Sequence, residues 1–213
     1  LNPWFDRDLS IAGRVVYRGC VLLSKPKRGN ADKMGGGPAR SGDVVVLLLQ
    51  HDKQHGSYGL IINKPTPCEM GDFTDKLPGF ASSAIHFGGE GHAQGQGHAV
   101  NRELHTLHTY PWLSKAEEVV DGIYLGADLR EAQALAAAGK VHSGDFKFYY
   151  SAQIWGPGEL EKEMGHGRWI AAACHRELLV KPAYAWERPL WRTLVDLIGG
   201  KVALMGREHS GEL

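Results

Sequence analysis

The sequence is poor in cysteine and lacks any long apolar run. Its 213 residues include 3 cysteines, Cys20, Cys68 and Cys174, which are too widely spaced for a disulfide framework, so we expect reduced thiols. No apolar stretch approaches the roughly 18 residues of a membrane-spanning helix. We therefore expect no membrane span, although peripheral contact with a membrane stays open. An apolar content of 43% with 23% charged residues is typical of a globular domain.

The sequence also lacks a surplus of either charge. Lys and Arg together number 24, as do Asp and Glu. Proteins that neutralise many phosphates usually carry a basic surplus, so we predict that this chain does not bind nucleic acid. One local group of cations stands out in and beside the glycine-rich segment 26–43, and it is a candidate contact for an acidic protein partner: Lys25, Lys27, Arg28, Lys33 and Arg40.

Apolar runs predict the strands. Residues 43–50, DVVVLLLQ, form a continuous β-branched run typical of a central strand, and residues 58–65, YGLIINKP, return as its hairpin partner. Segment 26–43 is predicted to be a loop because it has almost no apolar residues. Further strands are predicted at residues 19–25, 122–127, 145–155 and 168–175, and in the AIHFGG and ELHTLHT stretches.

Helix signals fall between these strands. Asp128 and Glu131 have the spacing of a capping box before LREAQALAAAGK, and Gly139 suits its left-handed C-terminal position. Residues 158–164 predict a short helix. A last helix is indicated by apolar residues at helical spacing, namely Trp186, Leu190, Trp191, Leu194 and Ile198. Strands and helices intermingle without a regular βαβ period, so the predicted class is α+β.

Histidines in a field of glycines raise the question of a metal site. In HFGGEGHAQGQGHAV, residues 86–100, His86, His92 and His98 lie six residues apart. Structural metal sites usually draw on closely spaced ligand pairs, and glycine-rich spacers fix no ligand geometry. We therefore interpret this stretch as a strand end followed by a loop, and we predict no metal ligand.

Other chemical motifs are absent. The sequence contains no phosphate-binding Gly-rich loop with its Lys and no G-x-S-x-G nucleophile elbow. Cys174 and His175 are adjacent on a predicted strand, so their side chains should point to opposite faces. We predict no cofactor and assign no catalytic residue.

Four ordered blocks nevertheless form a pattern: YGLIINKP, HFGGE, LHT and IWGPGELEKEMGHGRWIAA. This pattern resembles the successive motifs of the AlgH/YqgE-like family over roughly residues 17–200. The matching positions are Gly59, Asn63, Pro65, Gly88, Gly89, Leu104, His105, Trp155, Leu160, Glu163 and Trp169. The sequence departs from the family pattern at Glu90, Ile154 and Glu159, where Pro, Gly and Gln are usual.

The resemblance implies a fold and a location. The family fold is α+β, with a bifurcated mixed β-sheet that includes a small barrel and is flanked by helices. We expect one such domain at residues 19–200 with an insertion at 26–43, preceded by an extension, 1–18, and followed by a tail, 201–213. The stretches GIYLGAD, DFKFYY and AAAC are similar to plant and algal members, which implies a chloroplast location after removal of a transit peptide.

The resemblance brings no reaction or cofactor with it. We predict a non-enzymatic accessory or interaction subunit of a plastid assembly. One alternative is a small-molecule-binding or hydrolase-like enzyme built around His105, Glu163 and Trp155, which requires His105 and Glu163 to converge. The other is the transcriptional-regulator role with which bacterial members are labelled, and we disfavour it because the sequence has no basic recognition element.

Overall fold

The structure is a computed structural model that describes residues 16–25, 43–91, 103–180, 189–200, 202–204 and 207. The strands are β1 (Val21–Ser24), β2 (Val45–Asp52), β3 (Gly56–Ile61), β4 (Pro65–Glu69), β5 (Ala84–Phe87), β6 (Leu104–His108), β7 (Glu117–Val120), β8 (Ile123–Leu125), β9 (Lys147–Tyr150), β10 (Gln153–Trp155) and β11 (Trp169–Ala172). The α-helices are α1 (Leu129–Ala137), α2 (Glu159–Gly165), α3 (Arg176–Val180) and α4 (Leu190–Ile198). Three short 3₁₀ helices lie at Met70–Asp72, Pro78–Phe80 and Ser143–Asp145.

The strands form two sheets. The first, sheet A, has the order β10-β3-β2-β1-β11 and is antiparallel throughout. The second, sheet B, has the order β4-β5-β9-β6-β8-β7, and β5 runs parallel to β9. The predicted hairpin of β2 and β3 is confirmed, since Val46 pairs with Ile61 and Asp52 with Gly56. The predicted α+β class with a mixed sheet is confirmed as well.

The chain passes between the sheets at two points, which makes the architecture bifurcated. It leaves sheet A after β3 and enters sheet B at Pro65, and it returns from β9 to β10 through Ser151 and Ala152. The small barrel of the family fold does not appear as a closed ring of paired strands in the part of the chain that the structure describes.

Apolar side chains fill three layers. The central layer lies between the inner faces of the two sheets and includes Leu47, Tyr149 and, from α3 and α4, Leu178 and Leu194. The outer face of sheet A is covered by α2, whose Leu160 is fully buried. The outer face of sheet B is covered by α1 and the first two 3₁₀ helices. Successive side chains of a strand point to opposite faces, and both faces of β2 are buried, one in the central layer and one under α2. The apolar run of β2 is therefore continuous.

Several predicted boundaries are wrong. The run 145–155 is two strands in different sheets, because Ser151 has a left-handed backbone (φ 65°) that ends β9. The strand predicted at 58–65 ends at Ile61, and Pro65 opens β4 instead. The strand predicted at 168–175 stops at Ala172, so Cys174 and His175 lie beyond it. Strands β4 and β7 were not predicted, because neither segment contains an apolar run.

The helix predictions are confirmed with one difference. Asp128 caps α1 by accepting hydrogen bonds from the backbone N–H groups of Arg130 and Glu131, and Gly139 follows the helix with φ 69°. The Glu131 carboxylate accepts from the backbone N–H of Ser114 at 3.0 Å rather than closing a capping box. The helix predicted at 158–164 is confirmed as α2, which begins one residue later at Glu159, with Gly158 as its N-cap. Helix α4 carries the predicted periodicity, and Trp186 lies outside the described residues.

Candidate functional site

The paired glycines of the family pattern lie where the two sheets diverge. Gly88 donates to the Tyr150 carbonyl of sheet B and accepts from the backbone N–H of Ile61 in sheet A, both at 2.8 Å. A Cβ atom on Gly88 would lie 2.2 Å from the Ser151 oxygen, and one on Gly89 would lie 2.0 Å from the Gln153 nitrogen. No side chain fits at either distance, so this junction requires glycine. We call these two residues the sheet fork.

The first block of the pattern also has an architectural role. A Cβ atom on Gly59 would lie 2.5 Å from the Leu47 oxygen, so glycine lets β3 approach β2. The Asn63 side chain accepts from the Val45 N–H at 2.9 Å and donates to the Asp43 carbonyl at 2.6 Å. Asn63 thereby fastens the segment after β3 to the start of β2.

Glu163 joins the two tryptophans of the last block. Its Oε2 atom accepts from the indole N–H of Trp155 at 3.0 Å and from that of Trp169 at 2.7 Å, and its Oε1 atom accepts from Arg168 at 2.6 Å. The two indole rings meet edge to face at 6.0 Å between centroids. We call Trp155, Glu163 and Trp169 the indole clamp. It ties α2 to β10 and β11, strands at opposite edges of sheet A.

The indole clamp leaves Glu163 little capacity for catalysis. An indole N–H is a donor only, so a buried indole needs an acceptor such as this carboxylate. Both oxygens of Glu163 are engaged, and within the described residues its hydrogen bonds run to Trp155, Trp169 and Arg168. A general base must reach the proton it abstracts, and Glu163 instead stabilises two donors.

His105, the remaining polar position of the pattern, lies in the other sheet. On sheet B, Tyr149 of β9 pairs with His105 of β6 on one side and with His86 of β5 on the other. Directly paired residues share a face, so these three rings form a row, with 5.3 Å between the centroids of His86 and Tyr149. Lys147 lies two residues before Tyr149 and shares its face. We call these four residues the polar row.

Two atoms of the polar row are buried without a partner. The Tyr149 hydroxyl and the His105 Nε2 atom make no hydrogen bond in the described part of the chain. Burial raises the pKa of Tyr149 and lowers the pKa of both histidines, which favours the neutral form of all three side chains. In His108, by contrast, both ring nitrogens have partners. Its Nε2 donates to the Gly126 carbonyl at 2.6 Å, and its Nδ1 accepts from the Tyr110 N–H.

Lys147 is the charged member of the row. Burial lowers its pKa from 10.5 to about 8. Its ammonium donates to the Leu179 carbonyl at 3.0 Å, at the C-terminal end of α3, where a cation complements the helix dipole. Sequence reasoning missed Lys147 and Tyr149. Their alternation in KFYY places them on one face, but nothing in the sequence indicates that this face lies between two sheets.

The structure does not bring the residues of the hydrolase hypothesis together. Trp155 and Glu163 meet in the indole clamp on sheet A, whereas His105 belongs to the polar row on sheet B. Glu163 makes no hydrogen bond to His105. The convergence that the hydrolase-like alternative requires is therefore not observed, because consecutive strands β9 and β10 separate into different sheets.

Other predicted positions have simpler surroundings. Leu104 is 39% exposed on β6, and Leu160 is fully buried under sheet A. Within the candidate contact group, Lys25 follows β1, and Lys27, Arg28, Lys33 and Arg40 lie outside the described residues, as do His92 and His98. Burial raises the pKa of Cys174 to about 12, in keeping with the predicted core role of this thiol.

The described residues include neither a cluster of metal ligands nor a membrane-spanning helix. No three His, Cys, Asp or Glu side chains there are grouped so that they could hold a metal ion. None of the helices in those residues is long and apolar enough to cross a membrane.

Comparisons with known proteins agree with the four-block pattern. Residues 40–203 match the sequence profile of the AlgH-like family, DUF179, and the chain belongs to this family. A UPF0301 protein of Chlamydia caviae is 30% identical over 192 residues, covering 89% of this chain and 90% of the relative. A UPF0301 protein of Chlorobium limicola is 27% identical over 165 residues, covering 76% of this chain and 80% of the relative. These names state no activity.

Solved structures share the fold. The crystal structure of protein DIP2367 from Corynebacterium diphtheriae superposes with a TM-score of 0.66 at 15% identity, covering 94% of this chain and 97% of that one. The solution structure of AlgH from Pseudomonas aeruginosa superposes with a TM-score of 0.59 at 20% identity, covering 88% and 91%. At these identities the likeness establishes the fold alone.

Proposed function

We propose that this protein is a non-enzymatic interaction subunit of a plastid assembly and that it contacts an acidic protein partner. The observation that carries the proposal is the use of the family-pattern side chains. The polar atoms of Glu163 and Asn63 form hydrogen bonds that stabilise the fold. Gly59, Gly88 and Gly89 permit close backbone approach. No catalytic constellation remains among them, which leaves the surface as the place of action.

The plastid location and the partner's charge rest on the sequence. The stretches GIYLGAD and DFKFYY are similar to those of plant and algal members, and Lys25, Lys27 and Arg28 with their neighbours suit an acidic surface. Imaging of the full gene product with a C-terminal fluorescent tag tests the location. Fluorescence confined to the cytosol would contradict it.

Affinity capture from intact organelles tests the interaction role. The tagged chain should co-purify with a reproducible set of proteins, and deletion of residues 28–41 should reduce that set without loss of folding. A matched control carries Lys53→Glu and Lys140→Glu, two exposed lysines outside the candidate group. If the wild type captures nothing above a tag-only control, the protein is not an interaction subunit. If the deletion captures everything that the wild type captures, the segment is not the contact.

A second candidate function is small-molecule binding at the polar row, and the specific observation that favours it is the pair of unpartnered buried atoms on Tyr149 and His105. Buried polar atoms without partners are rare in native folds, and a bound ligand would satisfy them. Replacing Tyr149 with Phe separates the two candidates. The free energy of unfolding of Tyr149→Phe is compared with that of the wild type in the presence of cell extract metabolites. If a ligand binds through the hydroxyl, the variant is less stable than the wild type. If the row holds no ligand, the variant is more stable.

DNA binding is not expected of this protein. The chain has equal numbers of basic and acidic residues, so it lacks the net positive charge that drives binding to phosphate. In an electrophoretic mobility assay at about 150 mM salt we expect no shift that survives competitor DNA. A competitor-resistant shift would favour the regulator role instead.

A further inference from the structure

A cleft on the outer side of sheet B combines cations with apolar floor residues. It has a volume of about 450 Å³ and lies between the N-terminal end of α1, the segment before the second 3₁₀ helix and the turn before β7. Its cationic residues are Lys76, Lys115 and Arg130, and its apolar residues are Leu77, Ala127 and Leu129. We call it the α1 cleft.

The charge of the α1 cleft is unbalanced. Asp128 is its one carboxylate, and Lys115 pairs with it at 3.3 Å. Lys76 and Arg130 are exposed, and their side chains make no hydrogen bond or ion pair with the described residues. The cleft therefore presents two uncompensated positive charges, which attract an anionic partner within about a Debye length of 8 Å at physiological salt.

Two of the N–H groups at the start of α1 are already satisfied within the helix end. The first free N–H groups of α1, those of Arg130 and Glu131, already donate to the Asp128 side chain at 3.1 and 3.2 Å. An anion in the cleft would therefore meet the flexible cations of Lys76 and Arg130 rather than a set of backbone donors. Side-chain cations spread along a cleft suit several separate carboxylates better than one compact phosphate.

The floor provides the apolar part of the binding surface. Leu77, Ala127 and Leu129 are half-buried and pack against the core beneath sheet B, so the floor is fixed. An apolar centre with a charged rim is the usual anatomy of a small protein interface. The cleft is also open to solvent, which allows an extended chain to pass through it.

Lys115 is held in place beside this floor. It has a left-handed backbone (φ 66°), which is unusual for lysine. The turn that carries it is fastened to α1 on both sides of Ser114, whose N–H donates to Glu131 at 3.0 Å and whose carbonyl accepts from the Asp128 N–H at 2.8 Å. A rim fixed in advance loses little entropy when a partner binds.

We propose that the α1 cleft binds an acidic segment of a protein partner, with one apolar side chain on the floor and carboxylates paired with Lys76 and Arg130. The proposal rests on the interaction role proposed above, and it names a contact separate from residues 25–40. A free phosphate or a nucleic acid would bind the same cations through phosphate oxygens and would make no use of the apolar floor. The test therefore compares an acidic peptide with inorganic phosphate.

Binding is measured by titrating the ¹⁵N-labelled full chain at about 150 mM salt with three probes. These are the peptide EDLLDE, its uncharged counterpart QNLLNQ and inorganic phosphate. We expect EDLLDE to shift the amide signals of Lys76, Lys115 and Arg130, and to bind at least fivefold more tightly than either other probe. Shifts elsewhere, or none, would overturn the proposal. Equal binding of phosphate would also overturn it, because the floor would then contribute nothing.

Charge reversal supplies the matched variants. Lys76→Glu with Arg130→Glu should weaken EDLLDE binding at least tenfold, whereas Lys53→Glu with Lys140→Glu should leave it within twofold. Melting curves check folding, and Lys76→Gln with Arg130→Gln replaces the first pair if it fails to fold. In organelle capture, loss of a partner in the cleft variant alone supports the proposal. If the wild type captures partners and the cleft variant captures all of them, the cleft proposal fails while the interaction role stands.

Discussion

The indole clamp on sheet A and the polar row on sheet B differ in how well their polar atoms are satisfied. In the clamp, one carboxylate receives two indole N–H groups and an arginine. In the row, the Tyr149 hydroxyl and His105 Nε2 are buried without a partner among the residues that the structure describes. Most of the family pattern therefore marks contacts that hold the two sheets and α2 together. Of the two unsatisfied atoms, that of His105 belongs to the pattern and that of Tyr149 lies outside it.

The largest expected effect is at the sheet fork. Gly89→Ala places a Cβ atom 2.0 Å from the Gln153 nitrogen, so the strands must separate. We expect a loss of more than about 4 kcal/mol in the free energy of unfolding, or no folded protein. Gly139→Ala is the control, because Gly139 also has a positive φ but nothing within 4 Å, and it should lose about 1 kcal/mol. Urea denaturation measures both losses. Equal losses would mean that the close backbone contact at the sheet fork does not determine stability.

The next effect is at the indole clamp. Glu163→Ala leaves the indole N–H groups of Trp155 and Trp169 without their acceptor, and we expect it to lower the free energy of unfolding by about 3 kcal/mol. Glu163→Gln keeps one oxygen acceptor and should lose less. Glu177→Ala, an exposed glutamate on α3, serves as control and should stay within about 0.5 kcal/mol. A Glu163→Ala loss no larger than the control's would mean that the clamp does not stabilise the fold.

Lys147 makes stability depend on pH in the alkaline range. Its folded-state pKa of about 8 lies below the ordinary 10.5, so between these values the unfolded chain binds more protons than the native state. The contribution of Lys147 to the free energy of unfolding should therefore rise with pH across this window, by about 3 kcal/mol. The raised pKa values of Cys20 and Cys174 lower stability above about pH 9 in wild type and Lys variants alike, so the comparison between variants isolates Lys147. Lys147→Met should remove this rise and the exposed Lys140→Met should keep it, as measured by urea denaturation from pH 7.5 to 10.5. Parallel curves for wild type and Lys147→Met would contradict the burial of a charged Lys147.

The smallest expected effect comes from Tyr149. Its hydroxyl is buried without a partner, so Tyr149→Phe removes an unsatisfied polar group while keeping the ring. We expect the purified variant to gain about 1 kcal/mol in the free energy of unfolding. Tyr124→Phe, whose hydroxyl donates to Glu118 near the surface, should gain nothing. A loss of stability in Tyr149→Phe would show that the hydroxyl has a partner in solution.

Features that depend on residues close together in the sequence could be predicted from it. The Asp128 cap, the Gly139 terminus and the β2–β3 hairpin follow from residues within a few positions of each other. The division of 145–155 into two strands was not predictable, because the apolar pattern continues through Ser151 and the break depends on the fork packing against it. Strand β7 was missed because its EEVV segment pairs only at a sheet edge.

The family-pattern residues of the candidate site were predictable, but their roles were not, and Lys147 and Tyr149 were missed. The family pattern singled out Glu163 and His105, yet their separation follows from the passage of the chain between sheets at Ser151 and Ala152. Pairing of Glu163 with two tryptophans joins residues from α2, β10 and β11, a contact that no spacing rule indicates. The polar row depends likewise on the strand order β5-β9-β6.

Glu163 is a structural acceptor for two indoles, and the indole N–H signals of Trp155 and Trp169 report on this role. A ¹⁵N–¹H spectrum of the wild type should show both signals protected from exchange with water. In Glu163→Ala both should shift together and lose at least tenfold in protection, while the other tryptophans stay unchanged. If either signal exchanges freely in the wild type, or keeps its position in Glu163→Ala, the carboxylate is not engaged in the clamp and is available for chemistry.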